Sequence, residues 1–256
     1  MSPRERISQA IRAAAADGGP ALVAYLAAGY PQRDKFREHV RAIAAAADVV
    51  EVGVPFTDPM ADGVTIQRAS LAALSQGVSL RWILAELAHL SDVQAPILLM
   101  SYLNPLLAFG PRALALAAQR ANVAGFIVPD LPLDESSELR AALDEQQLAL
   151  VQMVTPVTAP ERLRQLCAGS QGFIYAVTMT GTTGKSVAVP DTVLDYLEAV
   201  RAVSALPVCA GFGIRSRDQV QRLSGHVDGV VVGSALVEVL ERGEDPTAWL
   251  RRLRGR

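Results

Sequence analysis

Cysteine, histidine and aromatic side chains are scarce in this 256-residue chain, and each scarcity removes a class of chemistry. The only cysteines, Cys167 and Cys209, have no Cys or His neighbour at metal-ligand spacing, so no sequence-local metal site or disulfide framework is expected. Both sit in apolar stretches, as reduced, buried thiols of a cytosolic protein would. The histidines, His39, His89 and His226, fall in helical or connecting segments, and no Ser-His-Asp or Cys-His arrangement can be built from them. Basic excess is also missing: the formal net charge is -2, which argues against nucleic acid as a partner. No run of about 18 uncharged apolar residues escapes interruption by Gly or Pro, so no membrane span is expected. The first 19 residues carry Arg4, Glu5, Arg6, Arg12 and Asp17, too much charge for a signal peptide. Ile7 and Ile11 at helical spacing there predict an amphipathic helix. A cytoplasmic location is the expectation.

What the chain does have is a repeated alternation. Short apolar runs occupy residues 21–28, 49–55, 96–102, 125–129, 149–155, 172–178, 207–211 and 229–232. They are apolar throughout rather than at every second position, the pattern of parallel strands covered on both faces. Helical patterns lie at 34–46, 80–90, 111–119, 135–145, 160–167, 191–203, 216–223 and 246–253. Parallel strands need crossovers of this kind. Eight strand–helix units predict a single-domain (β/α)8 TIM barrel over residues 1–256, with an extra N-terminal helix. An open doubly wound sheet is the alternative, but no dinucleotide fingerprint follows the first strand.

In such a barrel the reacting groups sit at the C-terminal strand ends. The second run reads VVEVGVP, and Glu51 interrupts it. If Val50 and Val52 face the helices, Glu51 points into the barrel, where low polarity raises its pKa and suits it to proton transfer. A core glutamate paired with a basic residue is the other reading. The next loop, FTDPMADG, brings Asp58 and Asp62. Either can cap the following helix, and Asp62 can also return to the strand end beside Glu51. Glycine-rich ends of the last two runs, GFGI and GSA, suit a phosphate held by backbone N–H groups, with a helix beginning at Ser234 adding its dipole. Tight packing explains such glycines equally well. Residues 179–190 form a small, polar stretch, either a lid or a surface loop. Tyr175 lies within the sixth run, as a structural or a site residue.

These motifs carry a family resemblance. EVGVPFTDPMADGVTIQ (51–67) resembles the signature of tryptophan synthase alpha subunits, and the likeness continues in order through MSYLNPLLAFG (100–110), GFIVPDLPLDE (125–135), TGTTG (180–184), GFGI (211–214) and VVGSALV (231–237). The resemblance implies retro-aldol cleavage of indole-3-glycerol phosphate without a cofactor in this chain; a standalone lyase that releases indole, or a silent subunit that only activates a partner enzyme, is the alternative. It also implies a beta-subunit partner that carries pyridoxal phosphate, in an alpha2beta2 assembly. By motif, Glu51 is the general acid/base and Asp62 stabilises charge at the indole nitrogen. Tyr175, Thr183, Gly184, Gly213, Gly233, Ser234, Leu22 and Met100 are implied at the substrate, and Thr57, Asp58 and a turn at Asn104-Pro105 at the partner interface. Leu22 stands where some members have an indole-contacting Phe. Val64, Thr182 and Tyr30 also depart from the commoner pattern.

Overall fold

The structure is a computed structural model that describes residues 1–178, 189–211 and 213–255. Eight strands close into one parallel barrel: β1 (Ala21–Ala27), β2 (Val49–Gly53), β3 (Ile97–Met100), β4 (Val123–Ile127), β5 (Ala149–Val154), β6 (Ile174–Val177), β7 (Val208–Gly211) and β8 (Gly229–Val232). β8 pairs back onto β1 in parallel, which excludes the open sheet. All eight expected strands are present. Most are shorter than the apolar runs, because the runs continue into buried turns; β4 instead starts two residues early, at Val123.

Twelve α-helices stand among the described residues. They are α1 (Pro3–Ala16), α2 (Phe36–Ala44), α3 (Val64–Ser75), α4 (Leu80–Leu87), α5 (Leu103–Phe109), α6 (Pro111–Arg120), α7 (Ser137–Glu145), α8 (Pro160–Gly169), α9 (Asp191–Val203), α10 (Arg217–Leu223), α11 (Ser234–Glu241) and α12 (Pro246–Arg254). None is long and apolar enough to cross a membrane. Two of them, α3 and α5, were not legible. The "turn" at Asn104-Pro105 is a correction: both residues lie in the first turn of α5. Proline is tolerated there because the first backbone N–H groups of a helix have no partner within it.

Strand alternation divides the core into two layers. Leu22, Ala24, Leu26, Val50 and Val52 face outward and pack with Phe36, Val40 and Ile43 of α2. The other set, including Val23, Val49, Leu98, Val151, Phe173 and Val231, fills the barrel. Ile7 and Ile11, one helical turn apart on α1, join this inner set and close its base. The helix that carries them is started by a capping box in which the Ser2 side chain and Glu5 satisfy each other's backbone donors. Burying each isoleucine contributes about 1.5–3 kcal/mol.

Candidate active site

Register decides what enters the upper barrel. Tyr25 pairs with Glu51 across β1 and β2, and Glu51 pairs with Leu98 on β3, so all three point inward. Glu51 is only 1% exposed. Among the described residues its Oε2 has no hydrogen-bond partner and no arginine or lysine pairs with it. Nothing among the described residues supports the reading as a paired core glutamate. Burial first, and the nearby Asp62 carboxylate second, push Glu51 up from its ordinary 4.5 to about 8.

Asp62 comes from the loop between β2 and α3, and α3 folds that loop back over the barrel. Ser70 of α3 accepts from the Phe56 N–H at 2.8 Å and donates to the Phe56 carbonyl at 3.0 Å. Gln67 donates to the Asp62 carbonyl at 2.9 Å. Neither Asp58 nor Asp62 caps α3, whose N-cap is Gly63. That leaves the Asp62 carboxylate free to face the barrel. Burial raises it from 3.8 to about 6, and a hydrogen bond donated by Tyr102 opposes the rise. Two carboxyl groups with separated affinities for a proton thus share one barrel mouth, an arrangement that divides acid and base roles.

Tyrosines surround this pair. Tyr175, buried on β6, feels the charge of Glu51, and burial raises its hydroxyl pKa well above the usual range. Tyr25 is buried likewise and feels both Asp62 and Glu51. Glycines make room for them. A Cβ on Gly53 would collide with the Tyr25 hydroxyl, and one on Gly211 would lie 2.5 Å from the Tyr175 ring. Met100 pairs with Gly53 and lines the same inner face.

Leu22 is a correction. It belongs to the outer layer, fully buried against the helices and near the start of β1. Three residues along the strand reverse the face, and Tyr25 is the inward residue at the mouth. The reading of 21–28 as uniformly apolar hid this, because alternation is invisible when both faces are covered.

At the ends of β7 and β8, Gly213 adopts a left-handed φ of +82° that favours glycine. Its carbonyl accepts from Gln219 at 3.3 Å, and the Gln219 Oε1 in turn accepts from the Arg215 N–H at 2.8 Å. Gly233 is the N-cap of α11, and Ser234 opens that helix as the sequence suggests. Free N–H groups at that end are suited to an anion. Thr183 and Gly184, and residues 179–188 of the stretch 179–190 expected as a lid or surface loop, lie outside the described residues.

Thr57 and Asp58 are exposed, and the Thr57 hydroxyl donates to Asp58 at 2.5 Å. Asn104 is exposed on α5, while Pro105 is half-buried. Both segments occupy the rim of the same mouth, with Met60 standing 91% exposed between the aspartates. Both cysteines are free and buried, Cys209 inside the barrel and Cys167 in the outer layer. No cluster of His, Cys, Asp and Glu among the described residues suits a metal ion.

The family model for the tryptophan synthase alpha chain matches residues 11–254. The chain belongs to the tryptophan synthase alpha chain family. A tryptophan synthase alpha chain from Nitratidesulfovibrio vulgaris is 42% identical over 96% of both chains. One from Bacillus mycoides is 43% identical over 90% of both. Among solved structures, a tryptophan synthase from Mycobacterium tuberculosis superposes with a TM-score of 0.90 at 37% identity, covering 97% of this chain and 96% of that one. The alpha-subunit reaction of this family is a lyase reaction, cleavage of indole-3-glycerol phosphate. Two members of the upper barrel, Tyr25 and Tyr102, escaped the sequence reading. The pairing of Tyr25 with Glu51 would have found the first; the MSYLNP motif holds the second but gives no sign of its hydroxyl contacts.

Proposed function

We propose that Glu51 and Asp62 carry out the cleavage, giving indole and glyceraldehyde 3-phosphate. The observation that carries this is the pair itself: two inward carboxyl groups at one mouth, one held near 8 and the other near 6. At neutral pH Glu51 is largely protonated and Asp62 largely ionised. Glu51 donates its proton to the indole carbon that bears the glycerol phosphate chain. The ring becomes cationic, and the Asp62 carboxylate stabilises the charge at the ring nitrogen, where it matters most in the transition state. The Glu51 carboxylate then takes the proton of the adjacent side-chain hydroxyl as the carbon–carbon bond breaks. Its electrons return to the ring, and the aldehyde leaves. Glu51 ends protonated, as it began. Positioned proton transfer of this kind contributes about 10²–10⁴ in rate.

Gly213, Gly233 and Ser234 are read as the phosphate cradle, with Gly184 and Thr183 added on the sequence pattern alone. Tyr25, Met100 and Tyr175 line the ring pocket. Phosphate binding away from the reacting bond lets binding energy serve orientation. The chain itself is read as a single domain without a cofactor of its own, cytoplasmic, and paired with a beta subunit that holds pyridoxal phosphate in an alpha2beta2 assembly. Exposed Met60 and Leu107, with Thr57, Asp58, Asn104 and Pro105 around them, support a partner-binding rim, since large exposed apolar side chains grouped with polar neighbours mark interfaces.

Indole release from indole-3-glycerol phosphate, measured with and without a beta subunit, tests the reading. Release in either setting that disappears in Glu51→Gln supports it. No release in both settings, or release that survives Glu51→Gln, overturns it.

A further inference from the structure

The Asp62 carboxylate sits on a loop, and loops position charge poorly unless something holds them. Tyr102 is that contact. It follows β3 at the entry to α5, and its backbone is fixed from several sides. The preceding Ser101 N–H donates to the Ile127 carbonyl on β4 at 3.0 Å. The Ser101 hydroxyl donates to the Tyr102 carbonyl at 2.9 Å. The following Leu103 N–H donates to Asp130 at 2.9 Å. Its ring stacks on Phe56 at 5.1 Å between centroids, with 24° between planes. From this fixed base the hydroxyl reaches the loop twice. It accepts from the Ala61 N–H at 2.9 Å and donates to Asp62 Oδ2 at 3.2 Å.

That pairing is directional. A phenol oxygen that accepts from a backbone N–H has its own hydrogen left to give, and it points at the carboxylate. Hydrogen bonds to the charged form favour that form. We infer that Tyr102 is a positioning residue of this site, whose hydroxyl orients Asp62 toward the substrate ring and keeps it ionised. The inference rests on the role proposed above for Asp62. Among the described residues, the groups facing Asp62 are Tyr102 from the end of β3, Glu51 on β2, Tyr25 on β1 and Tyr175 on β6, with Asp130 acting on Tyr102 from beyond β4. Of these, Tyr102 donates to the carboxylate while tied to its loop.

Tyr102→Phe keeps the ring and its stack and removes the two hydroxyl contacts. The Asp62 carboxyl is followed by 13C resonance across pH in the intact chain, with Asp62→Asn assigning the signal. This measurement needs no turnover, so it stands apart from the fate of the reaction assignment. The expected result is a midpoint near 6 in the original chain and a rise of about one pH unit in Tyr102→Phe, the size of a modest charge-assisted hydrogen bond. In the cleavage assay the acidic limb of kcat/KM shifts upward by the same amount. Phe56→Leu, which removes the stack but leaves the hydroxyl, serves as the structural control and leaves the limb in place. An unchanged Asp62 midpoint in Tyr102→Phe, or a loss of rate uniform across pH, overturns the inference.

Discussion

The two ends of the barrel use the same interior in opposite ways. At the base, Ile7 and Ile11 of α1 pack with Val23, Leu98, Val151 and Phe173 in one buried apolar cluster. At the mouth, the same inward strand positions carry Glu51, Tyr25, Tyr175 and Met100, and Glu51 Oε2 lies buried without a hydrogen-bond partner among the described residues. One end gains stability from burial. The other spends part of that stability to hold a carboxyl group where water cannot solvate its charge, and the same desolvation makes it a proton donor near neutral pH. Conserving volume matters at the base; placing charge matters at the mouth.

Glu51→Gln breaks the comparison most sharply. Turnover is expected to fall by about 10²–10⁴ while affinity for a phosphate-bearing substrate analogue stays close to that of the original chain. The two properties are measured on one sample. Stability should change in the other direction as pH rises. The folded value of Glu51, about 8, lies above its ordinary 4.5, so its contribution is intact below 4.5 and is lost as pH climbs through 8. Unfolding curves for the Gln variant should lack this decline, a difference on the order of a few kcal/mol.

At the base, Ile11→Ala should cost about 2–5 kcal/mol of unfolding free energy. Turnover per folded molecule should remain normal, because α1 touches none of the reacting groups. Denaturant titration beside an activity assay separates the two.

Both ends were readable to different depths. The eight strands announced themselves through mostly apolar runs, and Glu51 stood out as the one carboxylate inside such a run. Facing direction was harder. Leu22 and Tyr25 belong to one apolar strand, and only the pairing of Tyr25 with Glu51 shows which of them enters the barrel. Helices α3 and α5 were hidden for a local reason. α3 begins right after the turn-rich loop 56–63, and α5 begins at Leu103 with Asn104-Pro105 in its first turn, a pair that looks like a turn until Pro105 is placed where helix N–H groups have no partner. The contacts of Tyr102 with Asp62 and Ala61 join residues 40 and 41 positions apart, and no spacing rule reaches that far.

Gly211→Ala sharpens the picture at the mouth alone. Its Cβ would press on the Tyr175 ring, so the variant should lose about 1–3 kcal/mol of stability. Turnover should drop on the order of tenfold to a hundredfold, as expected when a pocket wall is displaced. A companion Gly172→Ala would confuse strain with crowding, so the Gly211 result is best compared with Ile11→Ala. A smaller change than either is expected for Arg4→Ala, which removes a partly exposed ion pair to Asp144 at 2.7 Å. Its loss should cost no more than about 1 kcal/mol in a melt and leave turnover untouched.

The claim beneath all of this is that desolvation at the barrel mouth keeps Glu51 protonated near neutral pH. A 13C titration of the Glu51 side-chain carboxyl in the intact chain, assigned with Glu51→Gln, reads it directly. The account predicts a midpoint near 8 that moves down in Asp62→Asn, because the Asp62 charge contributes to the rise. A midpoint near the ordinary 4.5, unaffected by Asp62→Asn, would contradict it.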